Sequence, residues 1–77
     1  MRTVIIHNLD IRVYNEMPKE YILSPDNENN TSVDVTIKNV QNIIFAKNGD
    51  LTIFAFISYG LTSIKIPYDS LTSVEIR

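Results

Sequence analysis

The sequence predicts an all-β domain, a small single-domain barrel or sandwich of about six short, mainly antiparallel strands. Three observations predict it. Apolar and polar residues alternate with a period of two along most of the chain, as half-buried strands do, and no segment shows an apolar period of 3.6. Turn chemistry recurs at short intervals, most clearly at Asn48-Gly49 and Tyr59-Gly60. The chain has 77 residues, no internal repeat and no linker, so residues 1–77 form one domain.

The elements follow in order. From Thr3 to Val13 the odd positions read Thr, Ile, His, Leu, Ile, Val. One long strand over 3–14 accounts for this, with Ile5, Leu9, Ile11 and Val13 inward and Arg12 and Tyr14 on the even face with Arg2. Two short strands broken between Asn8 and Asp10 account for it nearly as well. Residues 15–20 are polar, contain Pro18 and read as a connection. A brief strand over 21–23 and a polar loop over 24–30 come next. Residues 32–38 alternate cleanly, with Val33, Val35 and Ile37 on one face. A further strand over 43–47 leads into Asn48-Gly49, which favours a two-residue type I′ turn and a hairpin with 50–58. Residues 51–58 are apolar on both faces and are expected to form a central strand covered on both sides. Residues 61–66 form a strand with Ile64 and Ile66 inward, and Pro67, which has no N–H, ends its pairing. A short helical turn over 68–71, with Leu71 closing the sheet edge, precedes a last strand carrying Val74 and Ile76.

From Ile43 onward the order is strand, tight turn, a second strand ending Ile66-Pro67-Tyr68, then Leu71-Thr72-Ser73-Val74-Glu75-Ile76. This is loosely similar to what bacterial pleckstrin-like domains and Sm-like barrels show. The resemblance covers under half of the chain and carries no functional residue.

Composition restricts function. Without cysteine there is no disulfide to staple a thin core and no thiolate to attack a substrate or hold a metal. The formal net charge of −2 and the scatter of the seven basic residues argue against nucleic acid as the main partner. The N-terminus has no apolar signal core, and no run approaches the ~20 residues of a membrane span. A cytoplasmic protein with no membrane partner is expected. The abundance of Ile, Asn, Lys and Asp fits an AT-rich coding genome, such as those of low-GC bacteria and their phages. At this size, 44% hydrophobic residues leave apolar surface uncovered, so a homo-oligomer is expected.

The inventory for chemistry is poor. His7 is the only histidine, and a half-buried structural role explains it more simply than an acid–base role. Residues 26–34 place oxygen ligands at alternate positions, as a calcium loop does. The required glycine is Thr31, however, and the bidentate glutamate is Ile37. The two glycines sit in separate turns and make no phosphate loop. No catalytic residue, metal or cofactor is assigned, and an enzyme is not expected. The tyrosines lie at strand ends, where aromatic rings anchor partners or stack on bases. Tyr14, Tyr59 and Tyr68, together with Arg12, are the candidate binding residues. The expectation is a small non-catalytic module that binds a protein or a small ligand. The alternative is a small barrel that binds single-stranded nucleic acid.

Overall fold

A computed structural model describes residues 1–17, 24–57, 60–70 and 73–77. It comprises β1 (Arg2–Asp10), α1 (Ile11–Glu16), β2 (Ser24–Asp26), β3 (Ser32–Phe45), β4 (Leu51–Ile57), β5 (Gly60–Ile66), a 3₁₀ turn (Tyr68–Ser70) and β6 (Ser73–Ile76). The strands form one sheet in the order β5-β4-β3-β1-β6, with β2 also on β3, and every pairing is antiparallel. The all-β class read from the alternation is therefore the class observed.

The 14-residue β3 is the spine. Val35 pairs with Ile6 of β1 and with Pro25 of β2, and Val40 pairs with Arg2 of β1 and Ala55 of β4. One edge of β3 therefore carries β1, while β2 and β4 follow one another along the other. The strands expected at 32–38 and 43–47 are one continuous strand. Asn39 allows this by taking φ 59° between the inward-facing Ile37 and Val40. Its left-handed backbone, which asparagine tolerates better than most residues, absorbs a residue and keeps the apolar face inward.

The same device operates in β1. Asn8 has φ 56°, and the register with β3 shifts between Ile6 and Leu9. This bulge exchanges the faces. Val4, Ile6 and Leu9 are all fully buried, whereas Ile5 is only partly so. The expectation that Ile5 points inward fails because an unbroken period of two was read across the bulge.

Neither reading of residues 3–14 holds beyond Asp10, because the chain turns into a helix there. Asp10 is its N-cap, accepting the Arg12 N–H at 2.9 Å. Ile-Arg-Val-Tyr-Asn-Glu is a poor helix by propensity. The sheet stabilises it, because Tyr14 and Met17, three residues apart, close one end of the core.

The core lies on one face of the sheet. Val4, Ile6 and Leu9, then Val33, Val35, Ile37 and Val40, then Leu51, Ile53 and Ala55, then Ile64 and Ile66 meet there. Each fully buried aliphatic side chain contributes roughly 1.5–3 kcal/mol. The inward placement of Val33, Val35, Ile37, Ile64 and Ile66 is as the alternation predicts.

The hairpin at Asn48-Gly49 forms, but not through a two-residue I′ turn. Ala46 N–H donates to the Asp50 carbonyl and Gly49 N–H to the Ala46 carbonyl, both at 2.9 Å. Gly49 has φ 92° while Asn48 stays at negative φ. This is a three-residue loop closed by a glycine in the left-handed region. Asn48 serves through its side chain, its Oδ1 accepting from Asp50 N–H at 3.0 Å.

The polar stretch 24–30 is loop only in its second half, because Ser24–Asp26 pairs with β3 as β2. Asn29 then ties the turn together, its Oδ1 accepting from the backbone N–H groups of Thr31 and Ser32. β4 is covered on one face, not two, as Phe56 is 38% exposed. The expected strand at 21–23 and the closing role of Leu71 lie outside the described residues. Among the described residues, no helix is long and apolar enough to cross a membrane.

Candidate functional site

The inner face carries the core and a groove between α1 and β5 lined by Val13, Met17 and Ile64, while the outer face has two unlike halves. The first half spans β6, β1 and the N-terminal part of β3. The bulge at Asn8 leaves His7 outward, between Asp34 of β3 and Glu75 of β6. His7 Nε2 lies 3.1 Å from Glu75 Oε2, and Nδ1 lies 3.5 Å from Asp34 Oδ2. A neutral imidazole carries one N–H, whereas the imidazolium carries two and suits both carboxylates. The Glu75 hydrogen bond, followed by the Asp34 contact, accordingly raises the His7 pKa above its ordinary 6.5. In return, His7 and then Arg77, whose Nη2 is 3.4 Å away, lower that of Glu75.

Asp34 is the best-anchored member of this group. Its Oδ2 accepts from Asn27 Nδ2 and its Oδ1 from Asn8 N–H, both at 2.9 Å. These bonds hold its carboxyl below the usual range. They also tie the bulge of β1 to the turn after β2, since Asn27 too has a left-handed backbone, at φ 51°. The two carboxylates approach opposite nitrogens of one ring, which clamps the imidazole but does not converge on a cation. Among the described residues no group of three His, Asp or Glu side chains is arranged to hold a metal ion.

The second half spans the C-terminal part of β3, β4 and β5. Phe54 pairs with Asn42 on one side and Ser63 on the other, and Phe56 pairs with Leu61. Ile44 pairs with Thr52. The outer row therefore contains Ile44, 48% exposed, Phe54, partly buried, Phe56, and Leu61, 51% exposed. Gln41, Asn42, Ile44, Phe54 and Leu61 line one shallow depression along it. No charged side chain interrupts the row. Lys65 stands at its margin, with Nζ 4.0 Å from Asp50.

The four residues singled out from the sequence do not converge. Tyr14 is buried, 8% exposed, as part of the core. Arg12 is on α1, where its guanidinium binds Asp10 through Nη2 at 2.8 Å and Nε at 3.2 Å. It is held by the residue that caps its own helix. The even face expected to carry Arg2, Arg12 and Tyr14 does not exist, because α1 takes the last two off the strand. Tyr68 is 63% exposed on the 3₁₀ turn, with its N–H donating to Asp50 Oδ1 at 2.9 Å. Its ring covers Gly49, where an added Cβ would lie 3.1 Å from Tyr68 Cβ. Tyr59 lies outside the described residues.

Sequence reasoning passed over Ile44, Phe54, Phe56 and Leu61 as site residues. Their signal was visible, since phenylalanines alternate with Leu51, Ile53 and Ala55, but it reads equally well as a strand buried on both faces. Compared with known protein families, with curated proteins and with solved structures, the chain finds no match.

Proposed function

We propose that this chain is a small non-catalytic binding module that works as a homo-oligomer, two copies meeting through the outer row of Ile44, Phe54, Phe56 and Leu61. One observation carries this reading: the row is contiguous, apolar and uncharged on a sheet face that no described element covers. Large exposed apolar patches on small proteins mark interaction sites. A patch with no charge at its centre can meet its own copy about a two-fold axis without like-charge repulsion. The polar neighbours Asn42, Thr52 and Ser63, with Lys65 beyond, supply the rim that such interfaces have. The sheet edges are poorer candidates. β5 carries Lys65, and Glu75 and Arg77 stand on and beside β6, and charges at sheet edges discourage strand addition. A cytoplasmic setting and a phage or mobile-element origin belong to the same reading and rest on composition.

Sedimentation equilibrium from micromolar to millimolar protein tests it. The wild type is expected to form a discrete dimer or higher closed oligomer, and Phe56→Ser combined with Leu61→Lys a folded monomer. A wild type that stays monomeric throughout overturns the proposal. Binding of a single-stranded oligonucleotide by that monomer, weakened by salt and lost in Phe54→Ser, would replace it with nucleic-acid stacking on the same face.

A further inference from the structure

We propose that His7 is a pH-sensitive latch that holds β6, the terminal strand of the sheet, to β3 across β1. β6 is an edge strand. Among the described residues it pairs with β1 alone, over Val4–Ile76, Ile5–Glu75, Ile6–Val74 and His7–Ser73. Two backbone bonds between Thr3 and Arg77, at 3.0 and 2.8 Å, extend that pairing. The imidazole adds the side-chain link from β6 to the third strand. Its two nitrogens face carboxylates borne on the strands to either side, Asp34 on β3 and Glu75 on β6.

The jaws differ. Asp34 is fixed by Asn8 and Asn27 and does not depend on His7 for its place. Glu75 is 45% exposed and belongs to the edge strand. The other charged groups about the ring are Asp26 of β2, opposite Asp34 in the register, and Arg77 beside Glu75. With three carboxylates and one arginine in this group, the imidazolium brings the charges close to balance. When the ring loses its proton, one nitrogen presents a lone pair to a carboxylate and only one jaw can be held.

The direction follows from linkage. A histidine pKa raised in the folded state contributes stability that is fully present below the ordinary value of 6.5 and is lost as pH rises through the raised value. The latch is therefore closed in mild acid and opens toward alkaline pH. Opening frees the β1 edge from Val4 to His7, where another strand could add.

The test is native-state amide exchange of β6 against pH, with protection factors corrected for the intrinsic rate, alongside the ring titration of His7 by NMR. Protection at Glu75 and Arg77, whose N–H groups face β1, is expected to fall severalfold across the His7 titration, while protection at Ile53 in β4 does not follow it. His7→Gln should remove the step and leave β6 at the wild-type alkaline level. Glu75→Gln, which keeps the shape and loses the charge, should move the ring titration to lower pH and shrink the step. A step that survives in His7→Gln, a step undiminished in Glu75→Gln, or wild-type protection that stays flat while His7 titrates, overturns the proposal.

Discussion

The two halves of the outer face belong to one sheet and share one core, yet they solve the problem of an uncovered surface in opposite ways. Beside β1 and β6 the outward positions include His7, Asp34 and Glu75, whose polar atoms bind one another across strands, and a partly buried Ile5 beside them. Beside β4 and β5 the outward positions are Ile44, Phe54, Phe56 and Leu61, which have nothing to bond with and remain partly in water. The first half is complete within one chain. The second becomes complete when something covers it. Poor coverage and apolar chemistry together, more than aromatic content alone, are the grounds for proposing the second half as the binding face. The exposed Tyr68 illustrates the difference, since its position is accounted for by Gly49 and Asp50.

The comparison can be broken most forcefully on β4, where adjacent residues serve opposite faces. Ile53→Ala empties a fully buried position and should cost about 2–5 kcal/mol in denaturant unfolding. Phe56→Ser, three residues on, should cost under about 1 kcal/mol in dilute protein while abolishing association. Equal losses of stability would mean that both faces of β4 are core, as the sequence alone suggested. Gly49→Ala should cost about 1–2 kcal/mol, because φ 92° is strained for any residue with a Cβ. The contact with Tyr68 adds to that strain, so Tyr68→Ala should relieve part of the loss in the double variant if the ring is there for packing.

A pH series sharpens the polar half. Asn27 and then Asn8 lower the pKa of Asp34, the backbone N–H of Tyr68 and then Asn48 lower that of Asp50, and Arg12 lowers that of Asp10. A carboxylate with a lowered folded pKa contributes stability above its ordinary pKa and loses it as pH falls through the lowered value. Urea midpoints should therefore decline in acid, and Asp34→Asn should flatten that decline more than Asp10→Asn does. The smallest effect is expected at Arg12, whose side chain is 87% exposed. Arg12→Ala should leave the thermal midpoint and the oligomeric state nearly unchanged, since an exposed ion pair contributes little and salt screens it. A clear loss of association in that variant would restore Arg12 as a binding residue.

Much of the fold was legible because alternation is a local property. Val33, Val35 and Ile37 declare their face within one short segment, and Ile64 and Ile66 do the same before Pro67. The hairpin at Asn48-Gly49 was legible in place though not in type, because glycine alone supplies the left-handed residue. The bulges were not legible. Asn8 and Asn39 look like ordinary polar residues until a neighbouring strand sets the register that they must absorb. Nor was α1, where Ile11, Val13 and Tyr14 mimic a strand. The cue that could have found it is Asp10 as a cap, with Tyr14 and Met17 three residues apart.

The chain by itself determined that a small, cysteine-free β domain with one apolar face would form, and that apolar side chains would exceed what so small a core can bury. Those conclusions depend on composition and on neighbours one or two residues apart. Tertiary structure alone decided which apolar face stays open, because that depends on whether another layer lies across β4. It also decided that His7 meets Glu75, 68 residues away in sequence. Side chains that far apart in sequence become neighbours only through strand order and register, and both are settled by the packing of the whole sheet.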